Sequence, residues 1–442
     1  MFKRLYLLIF MFISSGLTLS AQTGTWSGKL DIQGATLSLV FHLEEEKPTM
    51  DSPDQGAEGI EIQVKRTSPS MIEIRVPSLG ASFEGIWMGK KIIGTFKQMT
   101  VSLPLTLTPG EDRPLRPQTP KEPFPYSTEE VSFSNGAIVL NGTIVLPEGY
   151  SRKTPALVMV TGSGIQNRDE EIFDHKPFAV IADALARVGI VTLRYDDRGY
   201  GDPSANAITW TTDDFKEDAS AAIKFMRERF DKVGIIGHSE GGTIAMMLGA
   251  ENKVDFIISL AGMAVSGVET LLYQNRLALL EAEVPENAVE TYCKLLKESF
   301  DAAVNDLPMP DIDVYALPDG LRHNLYAVQG QIRMPYMKHF LSLDIRPLLG
   351  KIRCPVLAMN GTKDQQVECL ANLDALSIGL SAAATARIKS VEQANHLLQN
   401  CRKGSVAEYR EIEETISPKV LEMITGWISE YIISEDIKSA PI

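Results

Sequence analysis

Val233-Gly234-Ile235-Ile236-Gly237-His238-Ser239-Glu240-Gly241-Gly242 is the stretch whose reading decides the fold. Its apolar first half reads as a buried strand ending at Gly237, and Thr243-Ile244-Ala245-Met246-Met247-Leu248 reads as the first turns of a helix. A Gly-x-Ser-x-Gly element between a strand and a helix has the context of a nucleophile elbow, which holds a serine at the tip of a sharp turn beside backbone N–H groups. So tight a turn crowds the positions two before and two after the serine. Gly237 and Gly241 therefore occupy positions with no room for a side chain.

An activated serine needs a base, the base needs an orienting acid, and the developing oxyanion needs donors. With a strand–turn–helix elbow the chain order is serine, then Asp or Glu, then His. The chain has six histidines, so elimination works. His42 lies in the N-terminal part and His175 precedes the serine. His238 adjoins it, with a side chain expected to point away from the tip. His323 and His339 fall in a helical insertion. His396, in Val391-Glu392-Gln393-Ala394-Asn395-His396-Leu397, follows the last expected strand and is the candidate base. Val356-Leu357-Ala358-Met359-Asn360 runs into Gly361-Thr362-Lys363-Asp364, which makes Asp364 the candidate acid and Glu368 the second choice. The oxyanion donors are expected to be the backbone N–H of Glu240 and that of Ser163, in Thr161-Gly162-Ser163-Gly164, with Gly164 as an alternative. Gln166-Asn167-Arg168-Asp169-Glu170 and Arg194-Tyr195-Asp196-Asp197-Arg198-Gly199 are dense in charge and read as salt bridges bracing the site.

Residues 22–109 read as a small all-β domain, a sandwich or barrel. Period-two alternation runs through 25–30, 37–43, 60–64 and 72–76, and further strands at 83–87 and 92–96 follow glycine turns. A proline-rich linker over 110–128 has the composition of an extended spacer. From 129 the pattern changes. A hairpin turning at Asn135-Gly136 precedes alternating strands (156–160, 190–195, 233–236, 256–260, 356–360, 386–391) and helices (about 174–188, 211–229, 240–250, 418–432). That alternation predicts an α/β fold with a mostly parallel, doubly wound sheet. Between Gly262 and Leu348 the chain is too long for one crossover and has helical periodicity, so about 263–347 reads as an inserted helical cap. Its last part carries Met334, Pro335, Tyr336, Met337 and Phe340, of which Tyr336, Met337 and Phe340 are candidate substrate-binding residues.

With 442 residues there is length for two or three domains, and 44% hydrophobic with 23% charged residues is the composition of a soluble globular protein. A formal charge of −14 with no basic cluster argues against a nucleic-acid partner. Met1 to Ala21 reads as a secretory signal, with Lys3 and Arg4 before an apolar core (Leu5 to Ile13) too short to span a bilayer. The expectation is an exported protein, periplasmic or extracellular, with no membrane insertion after signal cleavage. The four cysteines, Cys293, Cys354, Cys369 and Cys401, have no C-x-x-C spacing, which argues against a zinc site. Cys369 and Cys401 each lie five residues beyond a candidate triad residue, and meeting loops would bring them near enough for a disulfide.

Together, Gly-His-Ser-Glu-Gly, Asp364 and His396 resemble the α/β-hydrolase superfamily over about residues 129–435. Thr161-Gly162-Ser163-Gly164 with Arg168-Asp169-Glu170, Asp196-Asp197-Arg198-Gly199-Tyr200-Gly201, Asn360-Gly361-Thr362-Lys363-Asp364 and Ala394-Asn395-His396-Leu397-Leu398-Gln399 look like the bacterial EstD-like serine carboxylesterases, which also carry an N-terminal β-domain. Thr161 departs from the pattern, standing where many superfamily members have histidine. The resemblance implies a carboxylic ester hydrolase that needs no cofactor and acts on small-molecule esters through an acyl-enzyme. The rival readings are a peptidase related to prolyl oligopeptidase and a non-catalytic glycan- or lipid-binding protein on the same scaffold. A cap over the serine favours short acyl chains.

Overall fold

The computed structural model describes residues 24–32, 35–44, 46–55, 57–68, 70–110, 115–202, 205, 209–313 and 316–433. The expected signal, Met1 to Ala21, lies outside them. Two compact units divide between residues 113 and 114.

The first unit is one antiparallel sheet of nine strands: β1 (Thr25–Ile32), β2 (Ala35–His42), β3 (Thr49–Ser52), β4 (Ala57–Glu61), β5 (Gln63–Ser68), β6 (Met71–Val76), β7 (Ala81–Met88), β8 (Lys91–Gln98) and β9 (Val101–Pro109). Their order is β4-β3-β2-β1-β9-β8-β7-β6-β5. The strand expected at 60–64 is cut at Ile62. β4 and β5 are the two edges of the sheet, yet Ile62 alone joins them, so the sheet must curl until its edges meet. The alternation hides this corner because Ile62 is buried, with Ile60 and Val64 partly buried against the same core of Trp26, Phe41, Ile74, Phe83 and Leu107. Each such side chain, taken fully out of water, contributes roughly 1.5–3 kcal/mol.

The second unit has an eight-stranded sheet: β10 (Tyr126–Asn135), β11 (Ile138–Pro147), β12 (Ala156–Val160), β13 (Val191–Tyr195), β14 (Val233–His238), β15 (Ile257–Leu260), β16 (Val356–Gly361) and β17 (Ala386–Val391), in the order β10-β11-β13-β12-β14-β15-β16-β17. From β13 to β17 neighbours run parallel, while β10 and β11 form an antiparallel hairpin. Gly136 sits at φ +59° in its turn, a conformation glycine adopts without strain. Every residue of β12, β14 and β16 is buried. Strands covered on both faces need largely apolar runs, as these have up to the buried polar residues His238 and Asn360 near the ends of β14 and β16.

The helices are α1 (Pro177–Arg187), α2 (Thr212–Arg227), α3 (Glu240–Ala250), α4 (Gly267–Glu281), α5 (Glu286–Val304), α6 (Asp319–Gln331), α7 (Pro335–Ser342), α8 (Arg346–Leu349), α9 (Cys369–Gly379), α10 (Val406–Tyr409) and α11 (Pro418–Ile428). α4 to α8 make up the insertion between β15 and β16. Its own core is built from Tyr292, Leu296, Phe300, Leu325 and Leu341. α4 begins at a capping box formed by Ser266 and Glu269. α9 lies outside the helices expected from periodicity. Its apolar residues are spread round the helix, with Leu373 and Leu376 buried and Leu370 and Ile378 exposed, so it shows no single apolar stripe. No helix among the described residues is long and apolar enough to cross a membrane.

Candidate active site

The elbow is built as the glycine spacing demands. Ser239 has φ 53° and ψ −120°, a left-handed conformation that costs a side-chain-bearing residue about 1–3 kcal/mol and persists only where its surroundings enforce it. Its N–H donates to the Leu260 carbonyl at 2.9 Å. A Cβ on Gly237 would run into the Gly241 carbonyl, and one on Gly241 into the carbonyls of Val160 and Thr161. β14, α3 and the end of β12 thus approach one another backbone to backbone.

The candidate acid and base are brought together by the loops after β16 and β17. Asp364 Oδ2 and His396 Nδ1 are 2.8 Å apart, and both residues are buried. The other oxygen, Oδ1, accepts from the N–H groups of Gln366 (2.7 Å) and Val367 (2.9 Å). With Nδ1 engaged, Nε2 is the nitrogen left for the cavity that His396 and Ser239 both line. The two loops are tied by Thr362 N–H to Val391 O and Lys363 N–H to Ala394 O, each 2.9 Å, and a side chain on Gly361 would collide with Ala394. Glu368, the second choice for the acid, caps α9, its carboxylate accepting from the N–H groups of Leu370 and Ala371. Asp364 is therefore the partner of His396.

The expected disulfide is not formed, and all four cysteines are free. The loops do meet, but the Cys369 thiol donates to the Asn360 carbonyl and the Cys401 thiol to the Gln393 carbonyl. Burial pushes the Cys369 thiol up to about 12.

On the oxyanion side, Ser163 and Glu240 line the cavity together. The Gly162 N–H is already taken by Glu170 Oε1 at 2.7 Å, which leaves the Ser163 N–H as the candidate donor. Gly164 has φ +103°, so only a glycine turns the loop there without strain. Thr161 has its own task in place of the superfamily's histidine. Its hydroxyl and the N–H of Gln166 both donate to the buried Asp197, clamping the two ends of the loop. Burial raises Asp197 to about 8, although those same hydrogen bonds oppose the rise.

His238 also takes part in the site. It lies among the residues that line the cavity, with Nδ1 2.9 Å from Glu170 Oε1, Nε2 2.9 Å from the His396 carbonyl oxygen, and its ring centroid 4.7 Å from that of His396. Burial opposes its protonation, but the charge and hydrogen bond of Glu170 outweigh it and raise His238 to about 8. The neighbouring charge clusters do brace the site. Arg168 joins Asp196 and Glu130 at 2.6 Å each, Arg194 pairs with Asp169, and Arg198 holds the buried Asp218 at 2.6 Å.

The cap supplies the opposite wall. Tyr336, Met337 and Phe340 line the cavity, whereas Met334 and Pro335 are not among its lining residues. Phe340 belongs to the main core, not to the cap's own. The Tyr336 hydroxyl donates to Glu240 Oε2 at 2.7 Å, while Glu240 Oε1 accepts from Thr212 at 2.6 Å. Burial, reinforced by the Glu240 charge, moves the Tyr336 phenol well above its usual range. Sequence reasoning missed two further cap attachments. Tyr273 donates to the Asp364 carbonyl at 2.8 Å, and the Gln274 amide donates to the Gln366 carbonyl at 2.9 Å. Nothing in the helical pattern of α4 marks these residues. The cavity's volume is about 370 Å³, at the small end of the range for small-molecule sites.

Residues 157–408 match the profile described as the alpha/beta hydrolase family. Esterase EstD of Thermotoga maritima is 26% identical over 314 residues, which are 69% of this chain and 70% of that protein. Among solved structures, Est1E from Butyrivibrio proteoclasticus aligns over 69% of this chain and 99% of its own, at 15% identity and a TM-score of 0.40. The Pyrococcus furiosus esterase Pf2001 aligns over 73% and 100%, at 12% identity and a TM-score of 0.45. With more than half of its length matched to that profile, this chain belongs to the alpha/beta hydrolase family.

Proposed function

We propose that the protein is an exported serine esterase that cleaves small carboxylic esters with short acyl groups. The observation that carries this reading is the Asp364–His396 hydrogen bond set in one cavity with a serine on a strained elbow. Ser239 Oγ attacks the acyl carbon while His396 Nε2 takes its proton. Asp364 holds the ring by Nδ1 and stabilises the imidazolium. The N–H groups of Glu240 and Ser163 receive the oxyanion. Collapse expels the alcohol, protonated by His396, and leaves an acyl-enzyme. Water, deprotonated by the same histidine, then releases the acid and restores the serine. The relative named as an esterase supports ester chemistry, and the Met1–Ala21 segment supports export.

The acyl range follows from the walls. Phe340, Met337 and Tyr336 line a cavity of about 370 Å³, so each added methylene gains ~0.8 kcal/mol only until that wall is reached. Acetyl to hexanoyl esters are expected to give the highest kcat/KM. A fluorophosphonate probe should label Ser239, and p-nitrophenyl esters should be turned over far faster than dipeptide anilides. Absence of labelling would point to the binding-protein reading, preferred cleavage of anilides to the peptidase. A maximum at palmitoyl esters would remove the short-chain assignment.

A further inference from the structure

A second acid–histidine pair stands beside the first, and the chemistry above makes no use of it. Glu170 is buried on the loop that follows β12, at φ 53°, a left-handed conformation that strains the backbone of any residue with a side chain. That strain delivers one carboxylate oxygen to two donors: Oε1 lies 2.7 Å from the Gly162 nitrogen and 2.9 Å from His238 Nδ1. On the far side of the ring, His238 Nε2 lies 2.9 Å from the His396 carbonyl oxygen. A peptide carbonyl can only accept, and Oε1 already accepts from a backbone N–H. With Glu170 as a carboxylate, two acceptors flank the ring, and both of its nitrogens then carry hydrogen. Among the described residues no lysine or arginine pairs with Glu170, and its second oxygen is buried without a partner, so the ring is the cation that faces it.

Resting on the serine-esterase reading, we propose that His238 is a buried imidazolium whose two N–H groups lock the oxyanion loop to the base loop, a positioning residue that sets the alkaline limit of turnover. The groups facing it are Glu170 from the loop after β12, His396 from the loop after β17 and Asp364 from the end of β16. Pro177, Phe178 and Ile181 of α1, Leu260 of β15, Leu397, Leu398 and Ile416 line a small apolar cavity together with His238 and Glu170, and none of these seven titrates. When the ring loses a proton, one of the two contacts becomes lone pair against lone pair. Either Gly162 and its neighbour Ser163 lose their anchor through Glu170, or the His396 backbone loses its support. Displacements of this kind act on the chemical step more than on binding.

The test joins activity with a spectroscopic readout. In the wild type, kcat for p-nitrophenyl acetate should fall as pH rises through about 8. E170Q keeps the shape and removes the charge, so its fall should begin at least one pH unit lower, with KM changed less than twofold. H238F should lose about 100-fold in kcat at pH 7 and show no alkaline fall near 8. Independently of turnover, NMR of the wild type with ¹⁵N-labelled histidine should show one ring, assigned by its absence from H238Q, with both nitrogens protonated at pH 7. An alkaline fall unmoved in E170Q, or a His238 ring with a single proton at pH 7, overturns the proposal. Failure of Ser239 to label would instead overturn the esterase reading, and the ring-proton result would still decide the state of His238.

Discussion

The floor of the cavity and its roof are held in opposite ways. The floor is backbone fitted to backbone: Gly237 against Gly241, Gly241 against Val160, and Gly361 against Ala394, each too close to admit a side chain. The roof hangs on side-chain hydroxyls and amides, Tyr273 on the Asp364 carbonyl, Gln274 on that of Gln366, and Tyr336 on the carboxylate of Glu240. A floor of this kind cannot be altered piecemeal, because any added atom must move a strand. A roof of this kind can be altered one residue at a time. The division matches the separate demands of an invariant reaction and an adjustable substrate.

Substitutions in the floor chemistry should therefore cost most. S239A and H396A should each lower kcat about 10⁶-fold and, made together, cost little more, since the residues act as a unit. D364N should lose about 10⁴-fold, because the amide leaves His396 in the wrong tautomer. Near-wild-type rates in D364N would dissolve the pairing on which the floor's chemistry rests. Circular dichroism of each variant should match the wild type.

Next in size is the pH dependence of stability. Burial lowers His175 to about 4, and its partners suit a neutral ring, with Nε2–H donating to the Tyr409 carbonyl at 2.8 Å and the Thr415 hydroxyl donating to Nδ1 at 3.0 Å. Between pH 6.5 and 4 the unfolded chain binds a proton that the folded chain does not, so stability falls as pH falls, by about 3 kcal/mol in all. His238 has the opposite sign. Its contribution is full below pH 6.5 and lost as pH rises through about 8. Urea midpoints compared with the wild type from pH 4 to 9 should show H175Q losing the slope on the acid side that His175 supplies, and H238Q losing the fall through about 8.

Roof substitutions should be milder and selective. Y336F leaves the buried Glu240 carboxylate one donor short, at about 1–3 kcal/mol, and should weaken kcat/KM by one to two orders of magnitude while sparing Ser239 labelling. F340A should shift the preferred acyl chain by one or two carbons. An unchanged chain-length profile in both variants would show that the roof does not select substrate. Smallest of all, thiol-specific alkylation without reductant should modify all four cysteines once the protein is unfolded.

How legible each part was follows the same division. The elbow and the pairing of Asp364 with His396 were readable because steric demand and chain order constrain residue type locally, as at Gly237, Gly241, Asp364 and His396. The corner at Ile62 was not, because a buried residue continues the alternation through it. His238 was set aside on its adjacency to the serine, although its role depends on Glu170, 68 positions away. Tyr273 and Gln274 look like any polar residues on a helix, and only the cap's placement gives them work.

Arg116 lies in the proline-rich stretch, yet its guanidinium donates to the carbonyls of Phe173 (2.8 Å), Arg410 (2.9 Å) and Ile412 (2.9 Å). Gln118 likewise binds the backbone at Ile416, 298 positions along the chain. The consequence lies in biosynthesis. At roughly 5–20 residues per second, about 15–60 s separate the emergence of these two side chains from that of their last partners. Throughout that interval the first unit is free to fold, while the second must wait for its closing stitch. A nascent chain arrested before residue 410 should therefore hold a finished β-sheet unit and a protease-sensitive remainder.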